Sequence, residues 1–144
     1  MRQYYYARPP VPLLCLTDLL ATCAGILGAE LPSDAGEDSY DVLPALVGER
    51  LAAPIREATV HQAGDGSFSI RQGRWKLELT GSSAGYANLS AEEVRRRNMP
   101  PIQLYDLESD VGERRNVYDG FPEVVERLEA LLESYRERGR STPL

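Results

Sequence analysis

The stretch ATVHQAGDGSFSIRQGRWKLEL, residues 58–79, alternates apolar and polar side chains on both sides of a Gln72-Gly73 pair. Alternation is the period of a half-buried strand, and a glycine-containing pair between two such runs is typical of a two-residue hairpin turn. One face of the predicted hairpin therefore carries four large apolar side chains, which need a packing partner. The predicted cross-strand pairs are Ile70 with Trp75 and Phe68 with Leu77.

The rest of the chain supplies that partner. Apolar residues at helical spacing between Val124 and Tyr135 predict a C-terminal helix that packs on the hairpin face. The predicted class is α+β, a small antiparallel sheet of about four strands packed by a C-terminal helix, with an N-terminal helix. The predicted elements are a helix at 16–27, a linker at 29–54, strands at 57–62, 67–71, 74–79 and 102–107, an insertion at 81–101 containing a short helix capped by Ser90, and a helix at 122–138.

The composition predicts a soluble globular chain of one-domain size. Of the 144 residues, 42% are apolar and 26% are charged, and no apolar run reaches the roughly 18 residues of a membrane span. The chain has 16 Lys and Arg against 22 Asp and Glu, a net charge of −6, which argues against nucleic acid or an anionic membrane as partner. Because residues 1–14 lack a secretory signal pattern, we expect a cytoplasmic location.

The two cysteines predict neither a disulfide nor a metal site. Cys15 and Cys23 lie eight positions apart in the predicted N-terminal helix, which separates their backbones by about 12 Å. A disulfide needs Cα atoms within about 7 Å, so both are interpreted as reduced, half-buried packing residues. Two distant cysteines and one histidine do not make the usual four ligands of zinc.

Three blocks of the sequence, in their order and spacing, resemble arylsulfatase-type enzymes of the alkaline-phosphatase-like superfamily. The first, LTDLLATCAGILGAELP, is similar to the "SLTDLLAT" helix of that family. The second is the hairpin stretch with its "IRxGxWKL" run, and the third, PPIQLYDLESDVGERRNVYD, is similar to the closing "LYDLxxDPxExxN" segment. The resemblance covers residues 15–144, corresponds to the C-terminal part of such an enzyme, and leaves residues 1–14 unmatched.

The resemblance implies that a large α/β catalytic domain, outside the matched part, carries the chemistry. In the family that domain uses calcium and a formylglycine nucleophile made from the Cys or Ser of a Cys/Ser-x-Pro-x-Arg motif. Neither Cys15 nor Cys23 is followed by that proline and arginine, and no serine is followed by both. We therefore predict a sulfatase C-terminal subdomain that braces the catalytic domain and lines the substrate pocket, holds no cofactor and is inactive alone. The alternative is a non-catalytic interaction module or a degenerate sulfatase relic.

His61, the one histidine of the chain, is the one candidate site residue, for substrate binding. In its predicted strand it shares a face with Glu57 and Thr59, away from the apolar face of Ala58 and Val60. Two interpretations remain open, a surface histidine or a polar contact to substrate at the pocket rim. The resemblance favours the second, because the family places a histidine of this strand near its substrate site. No catalytic residue and no metal ligand is predicted.

The predicted partner is a sulfatase catalytic domain, either missing from this chain or made as a separate one. A subdomain separated from that partner should leave an apolar face uncovered and self-associate through it. The unmatched residues 1–14 favour a truncation, a frameshift or a separated domain. In the hairpin, Lys76 is interpreted as a solvated strand residue.

Overall fold

The computed structural model describes residues 12–81 and 91–143, with Ala91 described by its backbone only. Four antiparallel strands of this part form one sheet in chain order. The predicted α+β class is confirmed. The strands are β1 (Thr59–Gln62), β2 (Phe68–Gln72), β3 (Trp75–Glu78) and β4 (Gln103–Asp106). The α-helices are α1 (Leu19–Leu27), α2 (Leu43–Leu46), α3 (Ala91–Arg96) and α4 (Pro122–Arg138), and short 3₁₀ segments cover Leu16–Asp18 and Tyr118–Gly120. The predicted Ser90 cap and residues 1–11 lie outside the described residues.

The hairpin register differs from the predicted one by two residues. Gln72 pairs with Trp75 and Ile70 with Leu77, so the turn is Gly73-Arg74 rather than Gln72-Gly73. The reason is conformational, because Gly73 has a φ of 57° and glycine adopts positive φ at the first central position of such a turn without steric cost. Since side chains alternate with a period of two, a shift of two leaves the predicted apolar face unchanged.

The apolar face of the sheet packs against α4 and forms the core of the unit Glu57–Leu144. Ile70, Leu77, Leu104 and Leu128 are fully buried there, which confirms the predicted packing of the last helix on the hairpin. Pro122 begins α4 and Gly139, in the left-handed region with a φ of 65°, ends it. Proline suits the first turn of a helix and glycine suits its C-terminal cap.

The unit Met1–Arg56 has a polar interior. Its buried residues include Asp18, Thr22, Ser39 and Arg56, beside the apolar Ala24 and Val42. Helix α1 ends at Gly28, whose φ of 64° gives a left-handed C-cap. Cys15 and Cys23 are free thiols, as expected, but Cys23 is exposed rather than half-buried.

Candidate functional site

The sheet has a polar face opposite the one covered by α4. Cross-strand partners lie on the same side of a sheet, so the observed pairs of Thr59 with Arg71, His61 with Ser69, Lys76 with Tyr105, and Glu78 with Gln103 define this face. These eight residues, together with the segment 107–117 that follows β4, are the polar groups that the sheet positions. We take this polar face as the candidate site.

His61 lies on β1, at the edge of the sheet, and is exposed. Its cross-strand neighbour is Ser69, and Thr59 and Arg71 form the next pair on the same face. The structure therefore places His61 away from the apolar core, as the alternation in the sequence predicts. Whether it contacts a substrate remains a prediction.

Lys76 is the centre of an ionic cluster on the polar face. Its Nζ lies 2.8 Å from a Glu78 carboxylate oxygen and donates to both oxygens of Glu113, at 2.9 and 2.8 Å. Partial burial would lower the pKa of Lys76, but the hydrogen bonds and charges of Glu113 and Glu78 outweigh it, and the pKa is raised. The lysine is 24% exposed, so its interpretation as a solvated strand residue is wrong.

Tyr105 adds a neutral group beside this cluster. Burial, followed by the negative charges of Glu78 and Glu113, raises the pKa of its phenol. The phenol donates a hydrogen bond to Gln103 Oε1 at 2.6 Å, and the Gln103 amide donates to the Thr80 carbonyl at 2.9 Å. The polar face is thus cross-linked from β3 to β4.

The segment after β4 brings Glu113 to Lys76. The Asp110 carboxylate accepts the backbone N–H groups of Arg114 and Arg115 at 2.7 and 2.8 Å, and Glu113 has a φ of 52°. The Asn116 side chain then ties the segment back to β4, because its Oδ1 accepts the Leu104 N–H at 3.0 Å. The acidic and amide residues of the closing block are therefore structural groups that fix the loop.

A second feature of the same unit is an open cavity of about 350 Å³ beside this loop. None of the residues that line it is cationic, and one, Asp119, is a carboxylate; the lining is Asn98, Met99, Pro100, Pro101, Asn116, Tyr118 and Asp119. A hydrogen bond to Asp119 raises the pKa of Tyr118, so its phenol stays neutral. A sulfate group is bound most strongly by cationic donors, which this lining lacks, and the Asp119 carboxylate would repel it, so this cavity does not suit a sulfate.

The residues present do not fit the calcium and formylglycine that the sequence resemblance implies for the catalytic domain. The two thiols lack the required proline and arginine context, and within residues 12–81 and 91–143 no three His, Cys, Asp or Glu side chains cluster as metal ligands. Within the same ranges, no helix combines the length and the apolar character required to cross a membrane.

Comparison with known proteins relates most of this chain to sulfatases. The chain is 35% identical over 121 residues to an N-acetylgalactosamine-6-O-sulfatase of Bacteroides thetaiotaomicron, a match that covers 84% of this chain and 23% of that protein. The structure of this chain is similar to a solved structure from a study of how Bacteroides thetaiotaomicron metabolises multiple glycosaminoglycans. The TM-score is 0.64, with 32% identity over 83% of this chain and 24% of the other.

The chain is related to the C-terminal part of sulfatases. A solved 2-O GAG sulfatase shares the fold of this chain, with a TM-score of 0.59 and 22% identity over 84% of this chain and 24% of the other. The chain spans about a quarter of the length of the curated relative, which is matched over 23%. No protein-family model matches it.

Proposed function

We propose that the chain is the C-terminal subdomain of a sulfatase, that it braces the catalytic portion of that enzyme, and that it lines the rim of the substrate pocket. The observation that carries the proposal is that the chain is 35% identical to a sulfatase, in a match that covers 23% of the length of that protein. The names of the relatives point to a sulfate ester on a glycosaminoglycan sugar as the substrate class. Calcium and formylglycine would belong to the catalytic portion.

The two most buried cations with carboxylate partners, Lys76 and Arg56, favour a bracing role over an independent one. Cleavage of a sulfate ester needs an activated nucleophile, cations that stabilise developing charge, and an acid for the leaving oxygen. Lys76 is neutralised by Glu78 and Glu113, and Arg56 by Asp18. Both cations are occupied by carboxylates, so neither supplies the cationic group that the reaction needs.

His61 is our candidate for the rim. Its exposed position on the polar face, beside Ser69 and Arg71, would let an imidazole N–H donate to a sulfate or sugar oxygen. The proposal gives His61 a binding role and assigns it no proton transfer.

A chimera tests the proposed function. In the Bacteroides thetaiotaomicron relative, the segment that this chain matches is replaced by residues 12–144, and hydrolysis of an aryl sulfate ester such as p-nitrophenyl sulfate is measured. We expect activity within about tenfold of the unmodified relative, and none above background for the 144-residue chain alone. A folded but inactive chimera, beside an active relative, would overturn the proposal.

A second candidate, a non-catalytic interaction module, is favoured by the exposed leucines of α1. Exposed apolar groups of this kind mark binding surfaces. An interaction module would give the inactive chimera just described, so the same experiment separates the two functions.

A further inference from the structure

Helix α1 and the 3₁₀ turn Leu16–Asp18 before it present their apolar side to solvent. Leu16 is 85%, Leu19 60% and Leu27 80% exposed, and Leu20 and Cys23 lie exposed between them. These five residues recur at the spacing of one helical face, and we call them the leucine face. No residue of α1 is charged, whereas the exposed side of α4 carries Glu126, Arg127, Glu133 and Arg136, all exposed. A solvated helix is charged on its outer side, as α4 is.

The opposite side of α1 is fixed inward by polar contacts. The Asp18 carboxylate accepts the Cys15 N–H at 2.7 Å and the Tyr40 N–H at 3.1 Å, and it pairs with Arg56. The Thr22 hydroxyl accepts the Val42 N–H at 3.1 Å. Turning the leucines inward would break this buried network, so their exposure is imposed by the unit's own interior.

We propose that the leucine face is the surface that docks onto the catalytic portion of a sulfatase, an inference that rests on the proposed function. An uncharged, apolar face has the composition of the core of a stable interface. The match covers 84% of the chain and therefore includes residues from both units, while about three quarters of the relative lie outside it. In the relative the two parts belong to one chain, which gives the catalytic portion a high effective concentration at this face.

A second copy of the chain is the competing occupant. Each copy carries a net charge of −6, so two copies repel one another as they approach. The catalytic portion is therefore the occupant that we propose, and a homodimer through this face would contradict it.

The test introduces Leu19→Asp with Leu27→Asp into the chimera and into the isolated 144-residue chain. Ala130→Asp is the control, because Ala130 is exposed on α4 and lies in the other unit. In the isolated chain both variants should keep the circular dichroism and melting temperature of the unsubstituted chain, since the substituted positions are exposed. In the chimera, the amide hydrogens of α1 should exchange at least tenfold faster in the leucine-face variant than in the unsubstituted chimera, whereas the control should not change their exchange rate.

Three results would overturn the docking surface. One is an active chimera whose α1 protection is unchanged by the two substitutions, which leaves the proposed function standing. Another is loss of melting temperature in the isolated chain, which would make the face internal packing. The third is a homodimer of the isolated chain in analytical ultracentrifugation that the substitutions dissociate while the chimera is unaffected. An inactive unsubstituted chimera counts against the proposed function instead.

Discussion

Asp18, Lys76 and His61 use ionisable side chains in three different ways. Asp18 and Arg56 form an ion pair whose side chains are 2% and 3% exposed. Lys76 stands at the edge of solvent between two carboxylates, and His61 is exposed on the rim of the sheet. Substitutions of Asp18, of Glu113 beside Lys76, and of His61 should therefore affect three different properties: the stability of one unit, the pKa of Lys76, and the turnover of the chimera.

Replacing Asp18 with Ala should destabilise the unit Met1–Arg56. The change leaves the Arg56 charge buried without its carboxylate, which costs about 3–5 kcal/mol. Native-state hydrogen exchange at α1 measures this as a loss of local opening free energy. Glu133→Ala is the control, because its pair with Arg136 is more than half exposed and should contribute below about 1 kcal/mol. Equal effects of the two substitutions would contradict the prediction.

The alkaline titration of Lys76 should be shifted upward. Lys76 is the one lysine of the chain, so its side-chain carbon resonances identify it directly in NMR. We expect its pKa above the ordinary value of 10.5, and we expect Glu113→Gln to lower it. Because the folded-state pKa is the higher one, this stabilising contribution is complete below about pH 10.5 and is lost as the pH rises through the folded-state pKa. An unchanged pKa in Glu113→Gln would exclude the ionic cluster as its cause.

His61→Ala should reduce turnover in the chimera without affecting folding. Loss of a hydrogen bond to a charged group costs about 1.5–3 kcal/mol, which corresponds to roughly a 10- to 100-fold lower kcat/KM. Gln62→Ala is the matched control, since Gln62 is exposed on the same strand but on the other face. Unchanged kinetics with His61→Ala would identify a surface histidine.

The hairpin and α4 show how an element is held by side chains that it does not itself contain. Phe68, Ile70, Trp75 and Leu77 share the face that α4 covers, and the Trp75 ring lies 4.9 Å from the Phe121 ring just before α4. The two-residue correction in register leaves this face intact, because strand side chains alternate. The stability of the sheet is therefore expected to depend on the helix as much as on the turn.

Leu128→Ala tests that dependence. Leu128 is fully buried in the core of the sheet and α4, and truncation of such a leucine costs about 2–5 kcal/mol. Urea denaturation followed by tryptophan fluorescence measures the loss, since Trp75, the one tryptophan, packs against the same core. Glu126→Ala, on the exposed side of α4, should change the free energy of unfolding by less than about 0.5 kcal/mol.

At the scale of the whole molecule, the two units have interiors of opposite chemistry. Glu57–Leu144 is stabilised by buried Leu, Ile, Val and Tyr side chains, whereas Met1–Arg56 buries an ion pair and exposes the leucine face. A unit of the second kind gains little from the hydrophobic effect by itself. A chain that matches a quarter of a sulfatase, at 23% of its length, is expected to complete that burial on the rest of the enzyme.

Much of this arrangement is predictable from short-range patterns. The strands of the hairpin, the stripe of α4 and the resemblance of the closing block are visible in consecutive residues. The ionic cluster of Lys76 is not visible in consecutive residues, because Lys76 and Glu113 are 37 positions apart. A strand lysine, moreover, ordinarily points to solvent. The turn was misplaced by one residue because the choice between Gln72-Gly73 and Gly73-Arg74 depends on which position requires the positive φ of Gly73.

By itself the sequence determined the α+β class, the apolar face of the sheet, the helix that covers it, and the relationship to the C-terminal part of sulfatases. These follow from periodicity and local motifs, which act over a few residues. The tertiary structure decided which side of α1 faces inward, because the partner of Asp18 is Arg56, 38 positions away. A buried charge must meet its counterion, and that requirement fixes the helix with its leucines outward.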